Sequence, residues 1–460
     1  MSGAPSRSTP STLVRSANSW LATVPPRRPS TRDLPAAGNS ARLLILLFLL
    51  SLLIQSVFLI FLPDRWRPHE GGDYLASYEP VAENILQGKG IVDAQGRIAT
   101  LYPPGYPLIL AMIFVAADVT GTHHVTLVRI VNVITMAASA LLVFLMAELM
   151  FSTRVGIIST VLWMSYPFNL WLISQPNSEV PFILLAYLGI WVFAFAIARG
   201  CFPLTPVVGV TLALAALVRP IGLFLCLVLA LVLLFRRAVP TLRRLSYALV
   251  LLIGFLGAIA PWEIHVLSST GQLIPLSANG PASVLDGLTF GLTPGPEGDR
   301  VSVPEDVTHL MERIQARGRT LVATGAILNY LAQEAKRNPA PVAKLLALKV
   351  ARSWYGTAAK WQEDKTLAIQ VVYLALILGG IGIALSIYRD RIFWVVLLVS
   401  VLFYFWGMTV LVLPILRYMV PALGLTIIFA AVTVYYIVSG AGILRGTRSL
   451  LGRSRWARTS

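Results

Sequence analysis

Long apolar runs separated by short polar turns dominate this chain. Runs long enough to cross the hydrocarbon core of a bilayer, which takes about 20 residues, lie at Leu43–Leu62, Val125–Phe151, Val155–Ile173, Val180–Ala198, Pro203–Val218, Ile221–Phe235, Leu245–His265, Ala368–Tyr388, Ile392–Leu413 and Tyr418–Ile443. Helices are the economical way to carry such runs through lipid, because each satisfies its own backbone hydrogen bonds. The pattern therefore predicts an all-α polytopic membrane protein with about ten transmembrane helices. One further run, Tyr102–Ala117, opens with Pro103, Pro104, Gly105 and Pro107. Proline removes donors and breaks helices, so this run reads as a short interfacial or re-entrant helix. From Ser268 to Lys365 the pattern changes: a Gly/Pro-rich stretch comes first, then Val307–Lys336 reads as an amphipathic helix. Pro341–Tyr355 reads as an interfacial helix with Lys344, Lys349 and Arg352 on its polar side. No internal repeat of the transporter kind is visible.

The polar turns fix the sidedness. Threading the runs alternately from a cytoplasmic start puts Arg154, Arg199, Arg236, Arg237, Arg243, Arg244, Arg389 and Arg391 on the starting side, the distribution that the positive-inside rule requires. The same threading collects Asp73, Glu179, Arg219, His265, Arg417 and Tyr418 at the opposite mouth, although they come from separate parts of the sequence. Five segments follow: a disordered basic cytoplasmic tail (residues 1–41), the transmembrane domain (42–443) with a first outer loop (63–118) and a long outer loop bearing amphipathic helices (266–366), and a basic cytoplasmic tail (444–460). The expected place is the inner, or plasma, membrane, with both termini cytoplasmic and the active site outside.

Composition sharpens this reading. The chain has 460 residues, of which 56% are hydrophobic and 13% charged, more apolar surface than a soluble domain can bury. Its net charge of +16 is spread over the turns between apolar runs and not over one face, so nucleic acid is not an expected partner. Cys201 and Cys226 lie at or within apolar runs and indicate no disulfide framework.

Against this basic background the first outer loop stands apart, with Glu70, Asp73, Glu79 and Glu83 beside Tyr74 and Tyr78. Carboxylates at the mouth of an apolar bundle are costly and point to function. No phosphate-binding glycine loop or zinc-ligand pattern occurs; no cofactor is called for, and a divalent metal is left open without being indicated. A lipid-linked phosphosugar suits the layout, with its tail between spans and its phosphate at the mouth. Transfer from it needs a carboxylate to take the acceptor's proton and cations to stabilise the phosphate leaving group. Asp73 is the candidate base, with Glu70 as partner. Arg219 and Arg417, with Tyr418, are candidates for the donor phosphate, since guanidinium matches phosphate geometry and keeps its charge. Tyr74, Tyr78, Tyr102, Glu179, His265 and Asn279 complete the candidate site. Each has a plainer reading: Asp73 as a helix cap or ion-pair partner, Glu179 at the positive end of a helix dipole, the arginines as interfacial anchors, His265 as a surface side chain.

These residues also carry a family resemblance. The run D-Y-x-x-x-Y-x-x-x-A-x-N-I-L-x-G-K-G from Asp73 to Gly90, followed by YPPGYPLILA, resembles the first outer loop of GT-C membrane glycosyltransferases, in the branch of the protein O-mannosyltransferases and aminoarabinose transferases. NSEVPFILL, LVRPIGL, APWEIHVLSSTGQLIPLSANG, NPAPVAKLLALKVARSW and LRYMVPALGL follow in the expected order. The resemblance implies a GT-C fold, a polyprenyl-phosphate-linked sugar as donor, a glycan, lipid or protein as acceptor, Asp73 as catalytic base, and Arg219 and Arg417 at the carrier phosphate. It departs in two places: the family's adjacent acidic pair is missing, since Tyr74 follows Asp73 and the nearest upstream acid is Glu70, and the spacing to Tyr78 is longer than the family's usual one. Either Asp73 serves alone or Glu70 shares its role. The competing class, a transporter or flippase of a lipid-linked glycan, calls for charges at the bilayer midplane and paired broken helices, whereas here the charged candidates gather at one mouth.

Overall fold

The computed structural model describes residues 37–63, 72–236, 238–295 and 298–456, with side chains from residue 41 to residue 440. Most of the expected N-terminal tail, Glu70, and the side chains of the C-terminal tail lie outside the described residues. The chain divides into two compact units, residues 1–46 and 47–460. The described part of the first is the opening of helix α1 (Ala37–Phe61).

The second unit is helical throughout its described residues, apart from loops and one isolated bridge between Val92 and Ile98. After a π-helical turn at Tyr74–Tyr78 come α2 (Glu79–Leu86), α3 (Gly105–Thr120), α4 (His124–Met150), α5 (Thr153–Met164), α6 (Pro167–Leu172), α7 (Glu179–Arg199), α8 (Thr205–Val218), α9 (Leu225–Leu234) and α10 (Thr241–Thr270). Then follow α11 (Gly280–Thr289), α12 (Glu305–Ala316), α13 (Thr324–Arg337), α14 (Pro339–Arg352), α15 (Glu363–Ser386), α16 (Ile392–Leu411) and α17 (Val420–Trp456). Seven described helices are long and apolar enough to cross a membrane; three of the ten predicted runs form shorter apolar helices, Thr153–Met164, Phe202–Val218 and Pro220–Leu234. The run read as one span from Val155 to Ile173 is broken. Tyr166 takes an extended conformation (ψ 120°) before Pro167 opens α6, as the steric demand of a proline on its predecessor dictates.

Burial separates the helices that line the core from those that would face lipid. The apolar stretches of α4 and α17 are 61% and 67% buried, whereas those of α10 and α15 are 28% and 22% buried. The outward Leu249, Ile253, Val371 and Leu378 would be a liability in water and are at home against acyl chains. Close crossings rest on small residues: a Cβ at Gly209 of α8 would overlap the backbone of Leu251, and one at Gly254 would come within 2.7 Å of the Pro206 carbonyl.

The basic turns converge at one end of the bundle. Arg391 donates to the Met150 carbonyl at 3.1 Å, and Arg236 lies over the Phe393 ring at 5.1 Å. At the other end, α11–α14 form a helical cap with its own hydrophobic cluster around Leu288, Leu310, Met311, Ile314, Ile327 and Leu345. Two expectations are corrected here. Val307–Lys336 is not one helix but two, α12 and α13, separated by a 3-10 turn at Gly318–Thr320. On α14 Lys344 is exposed and pairs with Asp306 at 2.8 Å, but Lys349 and Arg352 are 1% and 3% exposed and form no polar outer face. Burial pulls the Lys349 ammonium down to about 7.

Candidate functional site

The site is assembled from loop residues held at helix ends. Gly72, with φ +71°, turns the chain so that Asp73 caps the π-helical turn Tyr74–Tyr78. One oxygen of Asp73 accepts a 2.8 Å hydrogen bond from the Tyr102 hydroxyl, which in turn accepts from Asn279 Nδ2 at 3.2 Å. Both donors in this chain point toward the carboxylate. Burial and the neighbouring Asp73 charge push the Tyr102 phenol well above its ordinary range, so it remains a donor throughout the physiological range. With Asp73 as the catalytic base that the sequence leads one to expect, removing it in Tyr102→Phe is expected to lower kcat about tenfold, the size of a hydrogen bond to a charged group, without changing KM for the donor. Steady-state kinetics check this: an unchanged kcat would detach Tyr102 from the reaction.

Asn279 is held by a turn the sequence reading missed. Glu263 Oε1 accepts from the Leu276 backbone at 2.8 Å, pinning a residue whose φ of +60° is unusual for leucine. The turn is then fastened to the loop before α3. Ala278 N donates to the Thr100 carbonyl at 2.8 Å, and Ser277 Oγ donates to the Leu101 carbonyl at 2.6 Å.

Beside this lies an ionic cluster. Pro220 ends α8 and leaves Arg219 extended at its C-terminus. Arg417 sits on the 3-10 turn Leu416–Tyr418 between α16 and α17. Both reach Glu179 in the first turn of α7: Arg219 Nη1 lies 2.8 Å from Glu179 Oε1, and Arg417 Nε donates to the same oxygen. Glu179 is buried, at 1% exposure, and the arginine side chains are 12% and 24% exposed. Two guanidiniums on one carboxylate leave a local excess of one positive charge. Arg219 also stacks over the Tyr418 ring at 4.9 Å and donates to Ser178 Oγ at 3.0 Å. Ser178 is 3.4 Å from the Tyr78 hydroxyl, a group that burial raises to about 12. The turn before α7 is carried by α4, where Arg129 donates to the Ser174 carbonyl at 3.1 Å and Asn132 to the Gln175 carbonyl at 2.9 Å.

The Tyr78 ring joins the two halves, 4.8 Å from Tyr102 and 4.9 Å from Tyr106, and Asp73 lies within electrostatic reach of both Tyr78 and Arg417. A cavity of about 730 Å³ opens against the same Tyr78 and Tyr102 rings, with Thr100, Ser269 and Thr270 also on its wall. The structure thus brings Asp73, Tyr78, Tyr102, Asn279, Glu179, Arg219, Arg417 and Tyr418 together. Tyr74 is buried in the π-helical turn below them. His265 is not part of the cluster; it is exposed and rests on Trp262. Among the described residues no group of three or more His, Cys, Asp or Glu side chains is placed to hold a metal ion.

Residues 102–265 match the family model of dolichyl-phosphate-mannose-protein mannosyltransferases. No curated protein sequence matches the chain. Among solved structures, the Archaeoglobus fulgidus oligosaccharyltransferase bound to zinc and sulfate aligns with a TM-score of 0.52 at 13% identity, over 89% of this chain and 51% of that one. AglB of the same organism, solved with an inhibitory peptide and a dolichol-phosphate, aligns with a TM-score of 0.52 at 13% identity, over 89% of this chain and 52% of that one. The fold is shared, and this chain spans about half the length of those enzymes. ArnT from Cupriavidus metallidurans, bound to undecaprenyl phosphate, aligns at a TM-score of 0.39 and 15% identity, over 89% of this chain and 80% of that one. The chain is thus similar to dolichyl-phosphate-mannose-protein mannosyltransferases over residues 102–265 and shares its fold with the archaeal oligosaccharyltransferase.

Proposed function

We propose that this chain is a multi-pass membrane glycosyltransferase that moves a sugar from a polyprenyl-phosphate carrier to a glycan, lipid or protein acceptor. The observation that carries the reading is the pair of arginines sharing one buried carboxylate, within electrostatic reach of a hydrogen-bonded aspartate. The arginine pair has a charge to spare for a phosphate monoester, while Tyr418 braces Arg219 from its ring face. Asp73 has one oxygen committed to Tyr102; its other oxygen takes the proton of an acceptor hydroxyl arriving from the neighbouring cavity. The acceptor oxygen then bonds to the anomeric carbon as the bond from that carbon to the carrier phosphate breaks. Attack from the face opposite the leaving group inverts the anomeric configuration. The electron pair of the broken bond stays on the phosphate, where Arg219 and Arg417 neutralise it.

The reading extends to orientation. Arg154, Arg236, Arg389 and Arg391 belong to turns at the end away from the site, and positive turns stay on the cytoplasmic side. The site accordingly faces out of the cell's inner (plasma) membrane, with both termini inside. Mass spectrometry of lipid, glycan and protein fractions from cells with and without the gene tests the proposal. A saccharide that disappears on deletion and returns with the wild-type chain is the expected result. If no glycan changes on deletion, transfer is not the function and transport of a lipid-linked glycan becomes the better reading.

A further inference from the structure

Lys349 is an unusual residue to find buried. It lies on α14 of the helical cap, 1% exposed, and no carboxylate pairs with it among the described residues. A buried ammonium without hydrogen bonds would be prohibitively expensive; here Nζ donates to the Leu411 carbonyl at 3.3 Å and the Val412 carbonyl at 3.2 Å. These are the carbonyls of the last residue of α16 and of the residue that caps it, where a helix leaves acceptors unsatisfied and its dipole favours a cation. One turn further along α14, Arg352 donates to the Pro414 carbonyl at 3.3 Å, to the Thr357 carbonyl at 3.0 Å and to Glu363 at 2.5 Å. Leu416 N donates to the Gly356 carbonyl at 2.8 Å. From the other side Gly287 of α11 lies so close to the Val412 carbonyl that a Cβ there would overlap it.

Apart from the Arg352 contacts with Thr357 and Glu363, all of these contacts fall on residues 411–416, and the next residue is Arg417. The segment has little helical structure of its own to set its course between α16 and the turn at Leu416–Tyr418. We infer that Lys349 and Arg352 are positioning residues that hold the Arg417 guanidinium in register with Glu179 and Arg219, so that the helical cap sets the geometry of the carrier-phosphate site. The inference rests on the function proposed above and adds to it a mechanical link from cap to phosphate. Neither residue touches the site itself. Their effect is carried by the backbone of residues 411–416.

The test is binding of undecaprenyl phosphate to the full-length protein in lipid nanodiscs, read by native mass spectrometry, together with hydrogen–deuterium exchange over residues 411–419. Lys349→Met is expected to weaken binding about tenfold or more, the consequence of losing charge-assisted hydrogen bonds, and to speed exchange in that segment. Lys349→Arg, which keeps the donors and charge, is expected to restore both readouts. Wild-type binding by a folded Lys349→Met protein overturns the inference and leaves the phosphate site intact. If the wild-type chain itself does not bind undecaprenyl phosphate, the phosphate site fails and the inference with it. Gly287→Ala provides a second route should Lys349→Met not fold, because its Cβ displaces Val412 and the end of the Lys349 side chain that bonds it while keeping the ammonium itself. Loosened exchange at residues 411–419 with undiminished binding in that variant also overturns the inference.

Discussion

Asp73→Asn is expected to abolish sugar transfer while leaving a folded protein in the membrane. Asparagine has nearly the same shape, and its carbonyl oxygen can keep the 2.8 Å bond from Tyr102. What disappears is the ability to accept a proton from the acceptor hydroxyl, a contribution worth about 10²–10⁴ in rate. The substitution therefore separates catalysis from structure: a cap or ion-pair role would appear as lost stability, a base as lost turnover with stability retained. Product formation measured beside thermal unfolding decides between them. Transfer by the variant at more than a tenth of the wild-type rate would remove Asp73 from the mechanism.

The second large effect is expected at Glu179, and it should appear in stability. Glu179→Gln strips the charge that two arginines share in a site only 1% exposed on the carboxylate side. Removing one partner of such a buried cluster costs about 3–5 kcal/mol, because the remaining charges are left uncompensated. Thermal unfolding should therefore begin at a clearly lower temperature. An anion can fill the same role, so undecaprenyl phosphate should raise the melting temperature of Glu179→Gln more than that of the wild type, as linkage requires of a ligand that binds the folded form more tightly. A variant as stable as the wild type would mean that the arginines do not depend on Glu179. Equal stabilisation of both proteins by the lipid would place the phosphate elsewhere.

Much of this architecture is legible in one dimension. Hydropathy reports whether a stretch belongs in lipid. Alternate threading then fixes which ends meet, and this is why the sequence alone collects Asp73, Glu179, Arg219 and Arg417 at one mouth. Pro103, Pro104 and Pro107 marked the short helix α3 in the same local way, because proline acts on its own residue and the one before it. The break at Tyr166–Pro167 follows from that rule too, but continuous hydrophobicity on both sides concealed it.

Pairing across distance was not legible. Tyr102 meets Asp73 from 29 positions away and Asn279 from 177, while Arg417 meets Glu179 from 238. No local property of these residues specifies such a partner. Glu263 and Asn132 support the site by bonding backbone groups, which every residue carries and which leave no signature in sequence. On an isolated wheel of α14, Lys349 and Arg352 belong on the polar face. The carbonyls at the end of α16 make the burial of Lys349 favourable, and Glu363 with the Thr357 and Pro414 carbonyls does the same for Arg352. By itself the sequence determined the membrane class and which candidate residues share one end of the bundle, because both depend on how a segment exchanges water for lipid. Tertiary structure alone decided which charges neutralise one another and which backbone turns hold them, because those energies exist only between groups that folding brings into contact.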